Sequence, residues 1–300
     1  MRCLGFESNW RLAVMAGVLA IAFWTPLGKT AQADESNPAA AVEYSLFDPV
    51  PASAMRPFCT DRPTKGTGPC TVDAGHLQVE SDIFNATLQE NGGIDTDTFV
   101  YTSPNFRLGV SSGTDVELNL SPFVSVETRD RNTGRRTSVS GFGDMFLRVK
   151  TSLVGNGAGD FSAALDPFLK VPTAPAGIGN GAVEGGLVVP LQFTLGDVWS
   201  LSLVPEIDVL KNVDGGGRHP AGVAALGVTR QISPQVSVSA ELWANVDGDP
   251  SGTVTQDSFD LAATWQPPGT VDLQFDIGAN LGLNSNTPAA QLYAGISHRF

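Results

Sequence analysis

The chain has 300 residues, with 18 Lys and Arg against 31 Asp and Glu and a formal net charge of −13. An acidic chain is a poor partner for nucleic acid, whose phosphates bind basic surfaces, so no nucleic-acid function is predicted. The three histidines, His76, His219 and His298, are far apart in the sequence and form no zinc-binding motif. No cofactor is predicted, because the sequence has no nucleotide-binding or metal-binding signature.

Residues 1–33 predict a cleaved export signal. Arg2 and Arg11 precede the uncharged stretch 12–24, and the small-residue site 31–33 comes directly before Asp34. Pro26 and Gly28 interrupt the apolar stretch before it reaches the roughly 20 residues of a membrane-spanning helix. The mature chain is therefore predicted to begin at about residue 34, outside the cytoplasm.

Residues 34–74 form an N-terminal segment without strand alternation, and we expect it to be flexible. Cys59 and Cys70 are the two cysteines left after signal removal, in a compartment where disulfides form. Their spacing differs from a Cys-x-x-Cys redox site, and the intervening "TKGTGP" lacks the pattern of a phosphate-binding loop. The pair predicts a disulfide-closed loop that carries Arg62 and Lys65.

From residue 75 to Phe300, apolar and polar residues alternate with the period of a β-strand. In residues 271–281, for example, every odd position is apolar and every even position is Asp, Gln, Gly or Asn. One face of such a strand suits hydrocarbon and the other suits water. The twelve predicted strands are 76–85, 98–110, 115–126, 142–154, 160–171, 185–195, 198–209, 219–231, 235–245, 257–266, 271–281 and 288–300.

The connections between these strands alternate in length, as in outer-membrane barrels with short periplasmic turns and longer external loops. This pattern predicts that both ends of the barrel chain lie on the periplasmic side. The short connections are 111–114, 155–159, 196–197, 231–234 and 267–270, and the long ones are 86–97, 127–141, 172–184, 210–218, 246–256 and 282–287.

We therefore predict an all-β fold in which residues 75–300 form a transmembrane, antiparallel, up-and-down β-barrel of about 12 strands. Most predicted strands reach the roughly 9–11 residues that a tilted strand needs to cross a bilayer. A soluble β-sandwich is the alternative, but its outer faces would carry more charge. The last strand ends in the aromatic residue Phe300, which resembles the signal that barrel assembly machinery recognises.

Four stretches, "FCTDRPTKGTGPCTVDAGHLQVE", "FRLGVSSGTDVELNL", "SGFGDMFLRVK" and "YAGISHRF", resemble the transporter family associated with the MetA pathway of phenol degradation. The resemblance covers about residues 57–300. It implies an outer-membrane barrel in a Gram-negative cell envelope, in contact with membrane lipids and lipopolysaccharide. It implies small-molecule cargo without defining which molecule, although hydrophobic or aromatic compounds fit the family name.

The polar faces of the strands predict the residues that line the lumen. Acidic residues outnumber basic ones among them, so an open lumen would favour cations. The alternative is that these charges pair with one another and serve as structural lining. The predicted lumen residues are Glu80, Asp82, Arg107, Glu117, Asp144, Arg148, Lys150, Asp166, Lys170, Glu206, Asp208, Glu241, Asp260, Asp272, Asp276 and Arg299, with Arg62 and Lys65 as candidates from the disulfide loop.

Some further side chains have two interpretations each. Phe84, Phe99, Tyr101 and Trp243 either reach the interior or serve in packing and interfacial anchoring, which we favour. The arginines of "ETRDRNTGRRTSV", which are Arg129, Arg131, Arg135 and Arg136, either bind lipopolysaccharide phosphates or are merely solvated. Asp247 and Asp249 either hold a divalent cation or form an ordinary turn, which we favour.

The predicted function is passive uptake of small molecules through an outer-membrane channel. One alternative is a surface lipid or ester hydrolase, for which His219 near an external loop is the main candidate, but no serine adjoins it in sequence. We therefore predict no catalytic residue and no enzyme. The other alternative is a structural barrel with a blocked lumen, and the loop 59–70 is the segment placed to cap or plug it.

Overall fold

Antiparallel strands account for most of the chain in the computed structural model, which describes residues 43–300. The predicted export signal lies outside the described residues. The strands are β1 (Leu77–Asn91), β2 (Ile94–Ser111), β3 (Thr114–Asn119), β4 (Phe123–Asp130), β5 (Arg136–Gly141), β6 (Met145–Val154), β7 (Phe161–Val171), β8 (Glu184–Val188), β9 (Leu191–Leu195), β10 (Trp199–Lys211), β11 (Arg218–Ser233), β12 (Val236–Asp247), β13 (Val254–Trp265), β14 (Leu273–Gly282) and β15 (Ala290–Arg299). A short 3₁₀ turn, Ala52–Ala54, precedes them.

The sheet closes on itself because β1 pairs with both β2 and β15. Three barrel strands are interrupted, so that β3 and β4, β5 and β6, and β8 and β9 each form one strand in two pieces. Neighbouring strands show this directly, since β2 pairs with both β3 and β4, and β10 pairs with both β8 and β9. The result is a closed antiparallel barrel of twelve strands, as the alternation predicts. Within residues 43–300, no helix has the length and apolar character needed to span a membrane.

Side-chain burial in the barrel is the reverse of that in a soluble protein. On β6, Val149 is 45% exposed, whereas the side chain of its neighbour Lys150 is fully buried. On β10, Ile207 is 58% exposed and Asp208 only 8%. Apolar side chains therefore face outward along these strands and charged ones face the interior, which fits a barrel surrounded by lipid and does not fit a soluble sandwich.

The prediction of a long loop at residues 86–97 is wrong. The strands β1 and β2 remain paired as far as Asn91 and Ile94, which leaves a two-residue turn of Gly92 and Gly93. Both glycines have positive φ, at 58° and 84°, and such a turn matches the twist of the strands it joins. The segment reads as a loop in sequence because its strands extend beyond the apolar zone, where neither face has to be hydrophobic.

Two backbone irregularities decide between the two interpretations of three aromatic residues in favour of the outer face. The β1 register shifts between Asp82 and Phe84, and Thr102 on β2 has a φ of 59°. Each irregularity exchanges the faces of the residues beyond it. Phe84 and Tyr101 are consequently exposed on the outer face, with ring centroids 5.6 Å apart, and Phe99 shares that face.

The segment before β1 packs against the base of the barrel. Leu46 donates a backbone hydrogen bond to Val110, and Val50 donates one to Ala74. Glu43–Phe300 forms one compact unit, so the expected flexibility does not describe residues 43–74. Gly109 on β2 allows the closest approach, because a Cβ there would lie 2.0 Å from the carbonyl oxygen of Asp73.

We expect Gly109→Ala to destabilise the folded barrel by about 1–3 kcal/mol, because the added methyl group must displace the backbone at Asp73. Thermal unfolding of the refolded protein in detergent measures the loss of stability. Limited proteolysis of the folded protein reports separately whether residues 43–74 have detached from the barrel. Gly113→Ala is the control, since a Cβ there meets nothing within 4 Å. Equal stability of the two variants would contradict this account of the packing.

Candidate functional site

The disulfide loop 59–70 lies inside the barrel and is bound by its backbone to two carboxylates on different walls. Cys59 and Cys70 form the disulfide. On one side, the backbone N–H groups of Asp61 and Arg62 donate to Glu80 on β1 at 2.9 and 3.1 Å. This contact ties the first half of the loop to the strand that follows it in sequence.

The tip of the loop reaches the opposite wall. The backbone N–H groups of Lys65 and Gly66 both donate to Glu241 on β12, at 3.0 and 3.1 Å. Gly66 is required for this approach, since a Cβ there would lie 2.8 Å from Glu241 and 3.0 Å from Val204 on β10. The loop therefore crosses the lumen from β1 to the β10–β12 side.

The two basic side chains of the loop bind acidic groups of the wall. Arg62 pairs with Asp82 and Asp276, each at 2.7 Å. Gly295 provides the space for this guanidinium, because a Cβ there would lie 2.2 Å from Arg62 Nη2.

Lys65 extends along the far wall of the lumen. Its Nζ donates to the Ser258 hydroxyl at 2.6 Å and lies 3.5 Å from Asp260. The same ammonium lies 4.2 Å from the ring centroid of Trp243, so this aromatic residue of β12 does face the interior. Both loop cations are thus held by carboxylates that the strand alternation assigns to the lumen.

Arg107 on β2 is the centre of a second cluster and its side chain is fully buried. It lies 2.7 Å from Glu80 and 3.0 Å from Asp115, and it also donates to the backbone carbonyl of Cys70 at 2.8 Å. Two further carboxylates, from Asp61 at 3.4 Å and Glu117 at 3.3 Å, complete its surroundings. The Arg107 guanidinium thereby connects carboxylates of β1 and β3 to the disulfide loop.

Lys150 on β6 supplies the second buried cation of this cluster. Its Nζ lies 2.5 Å from Asp61 and 3.4 Å from Glu117. Sequence reasoning missed Asp61 and Asp115. Asp115 shares a strand face with Glu117 and was detectable from that spacing, whereas Asp61 lies in a loop that has no periodic pattern.

The remaining predicted lumen residues pair along the wall, apart from two on β10. Arg148 binds Asp166, Lys170 binds Asp144 and Glu184, and Arg299 binds Asp272 and Asp73. Glu206 and Asp208 differ, because within residues 43–300 no lysine or arginine nitrogen lies within ion-pair distance of either carboxylate. The β10 wall therefore carries an adjacent pair of carboxyl groups, Glu206 and Asp208, without a lysine or arginine partner among residues 43–300.

Two cavities lie against the loop. One has a volume of about 220 Å³ and is lined by the loop and by hydroxyl and amide side chains that include Ser202, Thr229 and Gln274. The other, of about 240 Å³, is lined by Asn105, Glu117 and Arg148 among others. Asp61 and Thr67 line both cavities, so these two residues stand at the boundary between them.

The external-loop candidates form a hydrogen-bonded cluster. His219 lies 2.7 Å from Asp247 and 2.9 Å from the Asn212 side-chain oxygen. Ser251 donates to Asp249 rather than to the histidine, and this hydrogen bond, with one from Val213, lowers the pKa of Asp249 to about 2. Within residues 43–300 no group of three or more His, Cys, Asp or Glu residues is arranged to hold a metal ion. The geometry is that of a capped turn.

Phe300 closes the barrel at the end where the N-terminal segment lies. Its backbone N–H donates to Leu77 on β1 at 2.8 Å, and its carbonyl oxygen lies 3.0 Å from His76 Nδ1. Phe300 is 66% exposed, and its ring lies tilted against His298 with centroids 4.3 Å apart. The ring is therefore accessible at the barrel rim.

Comparison with known proteins gives one family and a set of similar folds. Residues 60–300 match the family described as "Putative MetA-pathway of phenol degradation". The COG4313 outer membrane channel from Pseudomonas putida F1 is similar in structure, with 14% identity, a TM-score of 0.57, and coverage of 75% of this chain and 95% of that chain. At that identity the likeness concerns the fold.

Two autotransporter domains are also similar. The translocator domain of NalP from Neisseria meningitidis has 11% identity and a TM-score of 0.46 over 75% of this chain and 88% of that chain. The beta domain of the Bordetella autotransporter Brka has 14% identity and a TM-score of 0.47 over 75% and 99%. No curated protein matches the sequence at a significant level.

We expect Arg107→Met to destabilise the barrel by about 3–5 kcal/mol, because the carboxylates around the lost guanidinium remain buried without their partner. Urea unfolding of the protein refolded into lipid vesicles measures this change. Arg135→Met, in the exposed turn between β4 and β5, is the control and should change stability by less than about 0.5 kcal/mol. Similar midpoints for both variants would show that the Arg107 cluster contributes little.

Proposed function

Because this chain belongs to the family described as "Putative MetA-pathway of phenol degradation", we propose that it is a passive channel for small molecules in the bacterial outer membrane. The observation that carries this proposal is the pair of cavities inside a closed barrel that share Asp61 and Thr67 of the disulfide loop in their linings. A solute crossing the barrel along these cavities would pass the disulfide loop. The loop 59–70 is then the constriction that decides what passes.

Charge at the constriction supports selection by electrostatics. The loop presents Arg62 and Lys65 to the wall, while Glu206 and Asp208 on β10 lack a cationic partner within residues 43–300. Charged groups in a narrow, low-dielectric passage act strongly on permeating ions. We propose that the net preference of the channel is set by the opposition between the loop cations and this acidic wall.

The lining also bears on the class of cargo. Hydroxyl, amide and charged groups dominate the lining of the 220 Å³ cavity, which favours small molecules that carry a polar group over plain hydrocarbons, whereas Phe146 adds apolar surface to the 240 Å³ cavity. Trp243 lies beside Lys65, and Tyr293 lies beside Arg62 with 5.8 Å between the guanidinium carbon and the ring centroid. These rings would accept a compact aromatic molecule that carries a polar group, so phenol-like solutes are the aromatic cargo that we propose.

A structural barrel with a blocked lumen is the second candidate, and the many contacts of the loop favour it. It makes the opposite prediction for transport, since a permanently blocked barrel conducts neither ions nor solutes. The hydrolase alternative has less support, because the contacts of His219 are with Asn212, Asp247 and Asp249 rather than with a serine. We further propose that the exposed ring of Phe300 contacts the barrel assembly machinery.

Releasing the loop should open the channel. We expect Cys59→Ser/Cys70→Ser, and a chain in which residues 60–69 are replaced by four glycines, to raise single-channel conductance in planar bilayers by at least about twofold. The reason is that the loop spans the lumen between Glu80 and Glu241. Heat-modified migration on gels controls for barrel folding. Folded variants that conduct no more than wild type would refute the constriction, and zero conductance in all chains would favour the structural barrel.

Charge substitutions should move ion selectivity in opposite directions. We expect Arg62→Gln/Lys65→Gln to shift the reversal potential in a KCl gradient toward cation preference, because two positive charges leave the passage. Glu206→Gln/Asp208→Asn should shift it toward anions for the converse reason. Arg135→Gln, in an exposed turn, is the control and should leave the potential unchanged. A shift of the same sign in both double variants would contradict the proposed opposition.

A further inference from the structure

Charged side chains continue the outer face of β2, β4 and β5 beyond the aromatic residues of the barrel wall. Phe99 pairs with Ser125, and the next outward pair toward the β1–β2 turn is Asp97 with Glu127. One step farther, Arg129 pairs with Arg136 across β4 and β5. Four residues at about 3.3 Å each separate the two levels, so the arginines lie about 13 Å beyond Phe99 along the strands.

This patch places like charges directly opposite one another twice. Asp97 faces Glu127, and Arg129 faces Arg136, and like charges at opposed positions of an antiparallel pair are destabilising. Within residues 43–300, neither arginine has a carboxylate oxygen within ion-pair distance. Asp95 lies opposite Arg129 in the register but binds Arg131 instead, at 2.7 Å.

Arg129 and Arg136 differ from the cations of the lumen and from a neighbouring arginine in having no carboxylate partner among residues 43–300. Inside the barrel, Arg62, Arg107 and Lys150 each contact at least two carboxylates. On the outer surface, the nearby Arg131 is paired with Glu90 and Asp95. Arg129 and Arg136 have no carboxylate partner in the described part of the chain, although carboxylates lie on the same face. Together with Asp97, Glu127 and Ser138 they line a cleft of about 400 Å³.

The cleft lies outside the barrel at the membrane boundary. Phe84, Tyr101 and Phe123 form a row of exposed rings with centroids 5.6 and 5.8 Å apart. Rows of aromatic residues mark the membrane interface of outer-membrane barrels. The opposite end of the barrel holds the N-terminal segment and Phe300, so the cleft lies at the end that we assign to the cell exterior.

We propose that this cleft binds lipopolysaccharide through its phosphate groups. Arg129 and Arg136 would take the phosphate oxygens, for which planar guanidinium groups have matching geometry. Asp97 and Glu127 would contact the divalent cations that bridge those phosphates, because carboxylate oxygens are hard ligands suited to Mg²⁺ and Ca²⁺. A ligand that carries both signs relieves both like-charge pairs, which a simple anionic phospholipid would not do.

The test compares the full refolded chain with Arg129→Gln/Arg136→Gln. Native mass spectrometry with added rough lipopolysaccharide and Mg²⁺ should show binding at least about tenfold weaker in the variant, since two charge-assisted contacts are lost. Arg218→Gln/Arg230→Gln removes the same charge elsewhere and should bind as wild type does. Unchanged binding in the first variant, or equal loss in the second, would overturn the proposal.

Thermal stability gives an independent reading. Without lipopolysaccharide, Arg129→Gln/Arg136→Gln should be at least as stable as wild type, because the opposed charges are gone. When lipopolysaccharide is added, wild type and the control Arg218→Gln/Arg230→Gln should gain stability and Arg129→Gln/Arg136→Gln should not. Asp97→Asn/Glu127→Gln should retain binding but lose its dependence on Mg²⁺, measured with EDTA. If phosphatidylglycerol vesicles stabilise wild type as much as lipopolysaccharide does, the choice of lipopolysaccharide is overturned. The proposal also fails if Arg129→Gln/Arg136→Gln still gains stability from lipopolysaccharide.

Discussion

A buried guanidinium is stable only where carboxylates and carbonyls replace the water that it has lost. Arg107 meets this condition through contacts to the loop, to β1 and to β3 at once. Its carboxylates are buried as well and depend on it in turn. The position of the loop, the spacing of the first strands and the charge of the lumen are therefore coupled through a single side chain.

The disulfide loop completes the barrel electrostatically and is not an appended cap. Acidic groups dominate the strand faces that line the lumen, and a closed barrel of this size leaves limited space for water to solvate them. Arg62 and Lys65 neutralise Asp82, Asp276 and Asp260, while backbone N–H groups satisfy Glu80 and Glu241. The loop thus takes the place of water around these carboxylates. A solute that passes the loop has to replace some of these polar contacts between the loop and the wall.

Strand alternation predicted the number of barrel strands and the inward face of residues such as Lys150 and Asp166, because period two is imposed by the pleat and by lipid on one side. Alternation alone could not decide the face of Phe84 and Tyr101, because a one-residue irregularity reverses the faces there. Strand alternation also could not predict which charged residues pair with one another. Arg62 and Asp276 are 214 residues apart in sequence, and only the closure of the barrel brings them together.

The inner and outer charges of the barrel differ in where their counter-charges come from. In the lumen, Arg62, Arg107 and Lys150 are matched by carboxylates of the same chain. Outside, beyond the aromatic row, Arg129 and Arg136 stand opposite each other and contact no carboxylate within residues 43–300. A pair of exposed like charges costs little in bulk water, yet acidic neighbours on the same face were available to quench it. Leaving the pair unquenched is consistent with a surrounding that supplies the counter-charge itself, as a phosphate-rich leaflet does.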